Sequence, residues 1–262
     1  MGKKVICELI KKEEIASGIF KFSIKAPEIA ENAKPGQFLE IKVSKIEEPF
    51  LRRPISIYNI LRDDGIIEFI FQVKGRGTKL LSQFIIGDKI DVIGPQGYGT
   101  FDVNTKYKSV AIIGGGIGSY PLYELAKELK GRAGLNVYLG FRNKDLVTCE
   151  KEFEQIGLNK LVITTDDGSY KEKGFAIDYM KKDIEEHMID KIFACGPTPF
   201  LKAVKKYAEE KNIPCQISLE ERMACGIGAC LGCAVKIVSG KEERYGHVCK
   251  EGPVFNSKDV EI

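Results

Sequence analysis

The stretch Leu51-Arg52-Arg53-Pro54-Ile55-Ser56-Ile57 begins a β-strand inside a region of short, β-branched runs. Such runs recur through residues 1–101, and turn signals such as Lys34-Pro35-Gly36 and Gly94-Pro95-Gln96-Gly97 separate them. Six strands at this spacing predict a small antiparallel barrel. The predicted strands are Lys4–Leu9, Ile19–Ala26, Gln37–Val43, Pro54–Ile60, Ile66–Val73 and Lys89–Ile93.

From about residue 107 the pattern changes to buried strands that alternate with helices. The run Val110–Ile113 precedes a glycine-rich turn and a helical pattern over Tyr120–Lys130, and Thr198–Lys211 is a second predicted helix. Strands that alternate with helices indicate an α/β unit with a parallel sheet. Its further predicted strands are Val137–Phe141, Leu161–Thr165 and Lys191–Cys195.

The sequence therefore divides into three predicted regions, 1–102, 103–212 and 213–262. The third contains two short β-like pieces, Ala234–Val238 and Tyr245–Val248, and five of the eight cysteines. A tail this short cannot bury a core of its own, so we expect a metal cluster to hold it together.

Composition excludes several classes of protein. The 262 residues carry 40 basic and 37 acidic side chains, and this near balance gives no nucleic-acid footprint. No run approaches the roughly 18 to 20 apolar residues that span a bilayer. With no recognisable signal peptide, the cysteines do not indicate an extracellular disulfide framework, so we expect a cytoplasmic protein with reduced thiols.

The tail reads Cys225-Gly-Ile-Gly-Ala-Cys230-Leu-Gly-Cys233, followed after fifteen residues by Cys249. This C-x4-C-x2-C…C order is that of plant-type [2Fe–2S] ligation, in which three thiolates on one loop and a distant fourth hold the cluster. Zinc with four cysteine ligands is the alternative, although zinc ribbons usually show two C-x2-C pairs.

Two segments of the barrel fit a flavin nucleotide. Arg53 offers a fork of donors for a pyrophosphate, and Ser56 can donate to the edge of a flavin ring. Gly75-Arg76-Gly77-Thr78 leads into a predicted helix at Thr78–Phe84, where a phosphate can bind. The alternative is a solvated arginine pair followed by an ordinary glycine turn.

Two segments of the α/β region fit a nicotinamide nucleotide. The turn Gly114-Gly115-Gly116-Ile117-Gly118 follows a strand and allows close approach of a pyrophosphate, although it is not a strict G-x-G-x-x-G. Cys195-Gly196-Pro197 ends another strand, at the edge of the sheet where ligands bind. A structural turn and a buried structural cysteine are the alternatives. Hydride transfer needs no acid or base, so we predict no catalytic side chain.

In this order, the motifs resemble the ferredoxin reductase family, in which the barrel holds a flavin and the α/β domain binds NAD(P). Ile55 stands where many relatives carry a tyrosine stacked on the flavin, so this residue has no aromatic ring for stacking. The contacts at 70–72 rest on the resemblance alone. The resemblance implies FAD contacts at Arg53, Pro54, Ile55, Ser56, Ile70, Phe71, Gln72, Gly77 and Thr78.

More specific strings, Glu220-Glu221-Arg222-Met223-Ala224-Cys225 and Cys249-Lys250-Glu251-Gly252-Pro253, closely resemble the electron-transfer subunits of class 1B dihydroorotate dehydrogenases. The resemblance implies FAD, a [2Fe–2S] cluster on Cys225, Cys230, Cys233 and Cys249, and NAD as a diffusible acceptor. It also implies an FMN-containing catalytic partner, two copies of each subunit, and a role in pyrimidine biosynthesis.

Two other readings remain open. Small subunits of ferredoxin:NADP oxidoreductases or sulfide dehydrogenases share this order of motifs, but one of their cluster ligands can be an aspartate, whereas this chain supplies four cysteines. A non-enzymatic regulator that senses redox state through the four cysteines is the other, and it would not bind flavin.

Overall fold

The first third of the chain closes into the predicted antiparallel barrel. The computed structural model describes residues 2–44, 48–239 and 242–262. Six strands pair in the order β1-β2-β5-β4-β3-β6, and all of the pairings are antiparallel. The strands are β1 (Lys3–Ala16), β2 (Ile19–Lys25), β3 (Phe38–Ile41), β4 (Arg53–Leu61), β5 (Ile66–Gln72) and β6 (Lys89–Gln96).

Two short helices interrupt the barrel. Helix α1 (Pro27–Asn32) was not predicted, and its Ile29 fills the barrel core. Helix α2 (Arg76–Leu81) begins two residues earlier than the predicted Thr78–Phe84 because Gly75, in extended conformation, already precedes the first turn.

The middle of the chain forms the predicted parallel sheet with helices around it. Its strands are β7 (Ser109–Gly115), β8 (Gly134–Phe141), β9 (Lys160–Thr165), β10 (Glu172–Lys173) and β11 (Lys191–Cys195). Its helices are α3 (Pro121–Leu129), α4 (Glu150–Glu154), α5 (Ala176–Glu186) and α6 (Thr198–Glu210). The sheet has the order β10-β9-β8-β7-β11-β12-β15, so β7 and β11 are neighbours at its centre.

The tail contributes to this same sheet, which the sequence did not predict. Strand β12 (Cys215–Ser218) pairs parallel to β11, and β15 (Val254–Asn256) returns antiparallel to β12. A separate three-stranded sheet joins β13 (Ala234–Ser239), β14 (Glu242–His247) and β16 (Val260–Glu261). One hydrophobic core contains tail residues, Cys233 and Cys249 among them, together with Leu201 and Val204 of α6. The tail therefore shares a core with the α/β domain.

Helix α3 connects the α/β domain to the barrel through buried polar contacts. The Ile60 backbone N–H of β4 donates to Glu124 Oε2 at 2.8 Å. Lys127 Nζ donates to Asn59 Oδ1 at 2.6 Å and to the Ile60 carbonyl oxygen at 2.8 Å. These bonds cross between the two domains and fix the barrel strand against the helix that follows the glycine turn.

No helix within residues 2–44, 48–239 and 242–262 is long and apolar enough to cross a membrane.

Candidate functional site

The glycine turn and the Cys195-Gly196-Pro197 segment meet at the carboxyl ends of β7 and β11. Cys195 pairs with Gly114 in the parallel register. A methyl carbon added at Gly118 would lie 2.6 Å from the Cys195 carbonyl oxygen and 2.7 Å from Gly196 Cα. The two segments that were predicted separately therefore form one surface, and only glycine fits at position 118.

Phe200 and Pro197 also pack at the surface formed by these two segments. A methyl carbon on Gly196 would lie 2.7 Å from the Phe200 ring, and one on Gly115 would lie 3.2 Å from Pro197 Cδ. Burial raises the pKa of the Cys195 thiol, which lies within the sheet at 1% exposure. That Cys195 is not an acid, base or nucleophile stays a prediction.

A cleft of about 250 Å³ opens where the barrel, the glycine turn and the tail come together. Seven of the predicted flavin contacts line it: Pro54, Ile55, Ser56, Ile70, Phe71, Gln72 and Thr78. Ile117, Tyr120 and Pro121 line it from the α/β domain. An apolar cleft with a few polar groups is the usual form of a cofactor site, and it adjoins the surface formed by the glycine turn and Cys195-Gly196-Pro197, the predicted nicotinamide surface.

The remaining two predicted contacts pack against each other. A methyl carbon on Gly77 would lie 2.5 Å from Arg53 Nε, so the guanidinium group lies directly on this glycine. Arg53 Nη1 donates to the carbonyl oxygens of Leu51 and Arg52 at 2.7 and 3.1 Å. Neither Arg53 nor Gly77 is part of the cleft wall itself.

Several cleft residues were not assigned a role from the sequence. They are Phe38, Lys74, Tyr120, Pro121, Ser218, Leu219, Glu220, Glu221, Met223 and Pro253. Ser218 ends β12, and Leu219, Glu220 and Glu221 follow it at the carboxyl end of this strand. Recognition of β12 would have identified them, because ligands bind beyond the carboxyl ends of parallel strands.

The cluster loop, residues 225–233, directs backbone N–H groups at cysteine sulfurs. The N–H groups of Ala229 and Cys230 lie 3.3 and 3.4 Å from Cys225 Sγ, and that of Gly228 lies 3.1 Å from Cys249 Sγ. Gly228 has φ +79°, a conformation that glycine adopts readily. N–H···S bonds of this kind help to set the potential of an iron–sulfur cluster.

The four thiols lie as two neighbouring pairs. Cys225 lies beside Cys230, and Cys249 lies beside Cys233, whose Sγ accepts the Cys249 backbone N–H at 3.4 Å. In the described ranges, no three His, Cys, Asp or Glu side chains converge as ligands of a single ion. A [2Fe–2S] centre has two irons, each bound by two thiolates, so two pairs suit it better than one zinc ion.

The free Cys225 thiol is already disposed to ionise. Burial opposes the charge, but backbone N–H groups of Ile227, Cys230 and Ala229 outweigh it and lower the pKa of Cys225 to about 6. Iron binds the thiolate form. Cys233 and Cys249 are buried, whereas Cys230 is exposed at the rim of the loop.

A buried carboxyl group lies between the cleft and the cluster loop. Glu40 of β3 is two residues beyond Phe38, which lines the cleft, and its own side chain touches Gly226 of the loop. Burial raises the pKa of Glu40 to about 7, against the opposing charges of Arg52 and Arg53. Sequence reasoning assigned Glu40 no role.

Barrel, nucleotide sheet, shared cleft and cysteine loop together define a flavin- and nicotinamide-dependent reductase that carries an iron–sulfur centre. The residues present fit a flavin, a nicotinamide nucleotide and an iron–sulfur centre. The cleft is open, the glycines leave the backbone accessible to a ligand, and the cysteine loop directs N–H donors at sulfur.

Comparison with known proteins gives the particular family. Residues 220–261 match the iron–sulfur cluster binding domain of dihydroorotate dehydrogenase B, and residues 6–101 match the oxidoreductase FAD-binding domain. The dihydroorotate dehydrogenase B (NAD(+)) electron transfer subunit of Fusobacterium nucleatum is 42% identical over 262 residues, covering 98% of both chains. That of Streptococcus mutans is 41% identical, covering 96% of both chains. The chain belongs to this family of electron transfer subunits, which confirms the resemblance.

Solved structures agree on the fold. A chain from the structure of the NADH-dependent reduced ferredoxin-NADP oxidoreductase superposes with a TM-score of 0.86 at 33% identity, covering 100% of this chain and 91% of that one. The ferredoxin reductase of carbazole 1,9a-dioxygenase superposes with a TM-score of 0.69 at 22% identity, covering 81% of this chain and 67% of that one. The second likeness concerns the fold alone.

Proposed function

We propose that this chain transfers electrons from a dihydroorotate-oxidising partner, through its iron–sulfur centre and FAD, to NAD+. The observation that carries the proposal is the shared position of the three sites: the cleft borders both the nicotinamide surface and the tail that carries the cluster loop. When bound, these cofactors supply one-electron transfer, two-electron storage and hydride transfer, and the protein supplies their placement.

We propose that the barrel holds FAD at the nine contacts predicted from the sequence. Ser56, Gln72 and Thr78 provide polar groups on the cleft wall, while Ile70 and Phe71 provide apolar surface. In this arrangement Ile55 contributes a cleft wall without an aromatic ring. The contact between Arg53 and Gly77 holds the guanidinium group beside the cleft for the pyrophosphate.

The NAD site would use both segments of the nicotinamide surface. Gly114, Gly115, Gly116 and Gly118 let the backbone approach a pyrophosphate, and Cys195, Gly196 and Pro197 form the opposite edge. The contact of Gly118 with the Cys195 carbonyl group fixes the spacing of the two edges. No side chain here is required to accept or donate a proton.

The cluster would bind to Cys225, Cys230, Cys233 and Cys249. Their paired arrangement and the N–H···S contacts support two irons. Iron is bound by reduced thiolates, and we propose a cytoplasmic location for the chain.

The rim of the cluster loop suits a docking site for the partner. Ile227 and Leu231 of the loop are 44% and 61% exposed, and Tyr98 of the barrel is 63% exposed. A groove of about 610 Å³ runs between the barrel turn at Pro95 and Cys249. Solvent-exposed apolar side chains around a redox centre favour binding of a protein partner. We propose that this partner is an FMN-containing catalytic subunit, in a complex with two copies of each chain.

Co-purification followed by cofactor analysis tests the proposal. We expect a dedicated catalytic subunit to be recovered, together with FAD, FMN, iron and sulfide, and the complex to reduce NAD+ with dihydroorotate. The isolated chain should oxidise NADH with dyes but should not react with dihydroorotate. Dihydroorotate-dependent reduction by the isolated chain would contradict the division of labour between the subunits.

A ferredoxin:NADP oxidoreductase subunit is the second candidate, favoured by the superposition over the whole chain. The two candidates differ in the expected donor. Reduction of NADP+ by reduced ferredoxin, with no response to dihydroorotate in the purified complex, would favour the second candidate.

A further inference from the structure

The barrel presents one buried carboxyl group to the cluster loop. Glu40 is 1% exposed, and its Oε1 has no hydrogen-bond partner within the described part of the chain. A methyl carbon on Gly226 would lie 2.3 Å from this oxygen, so the carboxyl group is in van der Waals contact with the loop. A buried oxygen without a partner is costly, and packing alone would be better served by an apolar side chain.

The charged groups around Glu40 do not pair with this oxygen. Just before β4, Arg52 donates to Asp91 Oδ1 at 2.8 Å and to the Asp91 carbonyl oxygen at 2.9 Å. Arg53 donates to backbone carbonyl groups and lies on Gly77. From the loop, Gly226 lies against this oxygen, one residue after the proposed ligand Cys225. The unpaired oxygen is therefore directed at the loop that follows Cys225.

We propose that Glu40 is a positioning residue of the electron path, and that its carboxyl group lowers the reduction potential of the centre bound by the cluster loop. The inference rests on the cluster ligation proposed above. Reduction adds negative charge to the centre, and a carboxylate in a poorly solvated place repels that charge more strongly than it would in water. Net charge and hydrogen bonds near the sulfurs are known to set such potentials.

The test uses the full chain with its cluster at a pH of about 9, above the raised pKa of about 7 of Glu40, so that this carboxyl group is ionised. It compares midpoint potentials from a redox titration monitored by the EPR signal of the reduced centre. Glu40→Gln keeps the shape of the side chain and removes its charge, so the potential should rise. Glu40→Asp keeps the charge, so its potential should stay closer to that of the wild type. Glu68→Gln is the matched control, because Glu68 is another buried barrel carboxylate but is bonded to Ser23 and Asn59.

An unchanged potential in Glu40→Gln, with the EPR signal intact, would overturn the inference. So would an equal shift in Glu68→Gln, because the effect would then reflect a loosened barrel. Loss of the centre in Glu40→Gln would show that the side chain holds the loop rather than tunes the potential, and it would also overturn the inference. Failure of the proposed ligation is distinguishable, since the wild type itself would then lack iron, sulfide and the EPR signal.

Discussion

Replacement of Gly118 by alanine tests the contact between the glycine turn and the Cys195-Gly196-Pro197 segment. The added carbon would lie 2.6 Å from the Cys195 carbonyl oxygen, about 0.8 Å inside the 3.4 Å at which ordinary contacts begin. The neighbours are backbone atoms of a central strand and cannot rotate away. Overpacking of this kind costs about 1–3 kcal/mol. If displacement of the Cys195–Gly196 segment weakens NADH binding by about 1.4 kcal/mol, the KM for NADH rises about tenfold.

Dye-linked NADH oxidation and urea unfolding measure the two effects, and FAD and iron contents show whether the other sites are intact. Gly131→Ala is the control, because Gly131 has φ +72° but no atom within 4 Å of the added carbon. That variant should lose roughly 1–2 kcal/mol of stability with no change in KM. A Gly118→Ala protein with wild-type stability and KM would refute the reasoning.

Three further predictions concern the cluster and the core. Cys230→Ser should abolish the visible absorbance of the cluster while FAD remains bound, and loss of flavin from a folded variant would count against separate sites. Gly226→Ala should reduce iron content, because position 226 has φ +67° and the added carbon would meet Glu40; iron content equal to that of the wild type would contradict this. Phe193→Ala should lower the free energy of unfolding by about 3–5 kcal/mol in urea titrations, because the ring is fully buried and lies 5.8 Å from the Phe101 ring; a loss below 1 kcal/mol would contradict the packing argument.

The barrel could be predicted because short β-branched runs and turn residues mark its strands locally in the sequence. The first strand shows where that information ends. Alternation supports a strand only to Leu9, but β1 continues to Ala16 through Lys11-Lys12-Glu13-Glu14. These charged residues are strand because they pair with β2 across two register shifts, which depends on residues elsewhere in the chain.

The tail was harder for the same physical reason. Cys215-Gln216-Ile217-Ser218 has no continuous apolar run, and it becomes a strand because β11 supplies its hydrogen-bond partners. The expectation that a cluster alone holds the tail together omitted the core shared with α6. The cysteine spacing, by contrast, is a local pattern and led directly to the four candidate ligands.

Contacts between distant segments were beyond sequence reasoning. Glu40 and Gly226 are separated by most of the chain, and nothing in the run Phe38–Ile41 marks Glu40 as different from a solvent-facing strand residue. Likewise, the two nicotinamide segments were recognised singly, but their direct contact depends on the pairing of β7 with β11.

The pairing of β12 with β15 has a consequence for how the chain can be rebuilt. Ser218 and Val254 are partners in adjacent antiparallel strands. Residues 219–253, which carry the four candidate cluster ligands, therefore leave the sheet and return to it at paired positions. Antiparallel neighbours can be joined by a two-residue hairpin. A short turn between these two residues would keep the pairing of β12 with β15 in a chain without residues 219–253. That shorter chain would lose the partner of β16 and part of the core around α6, so a grafted metal-binding segment would have to supply both.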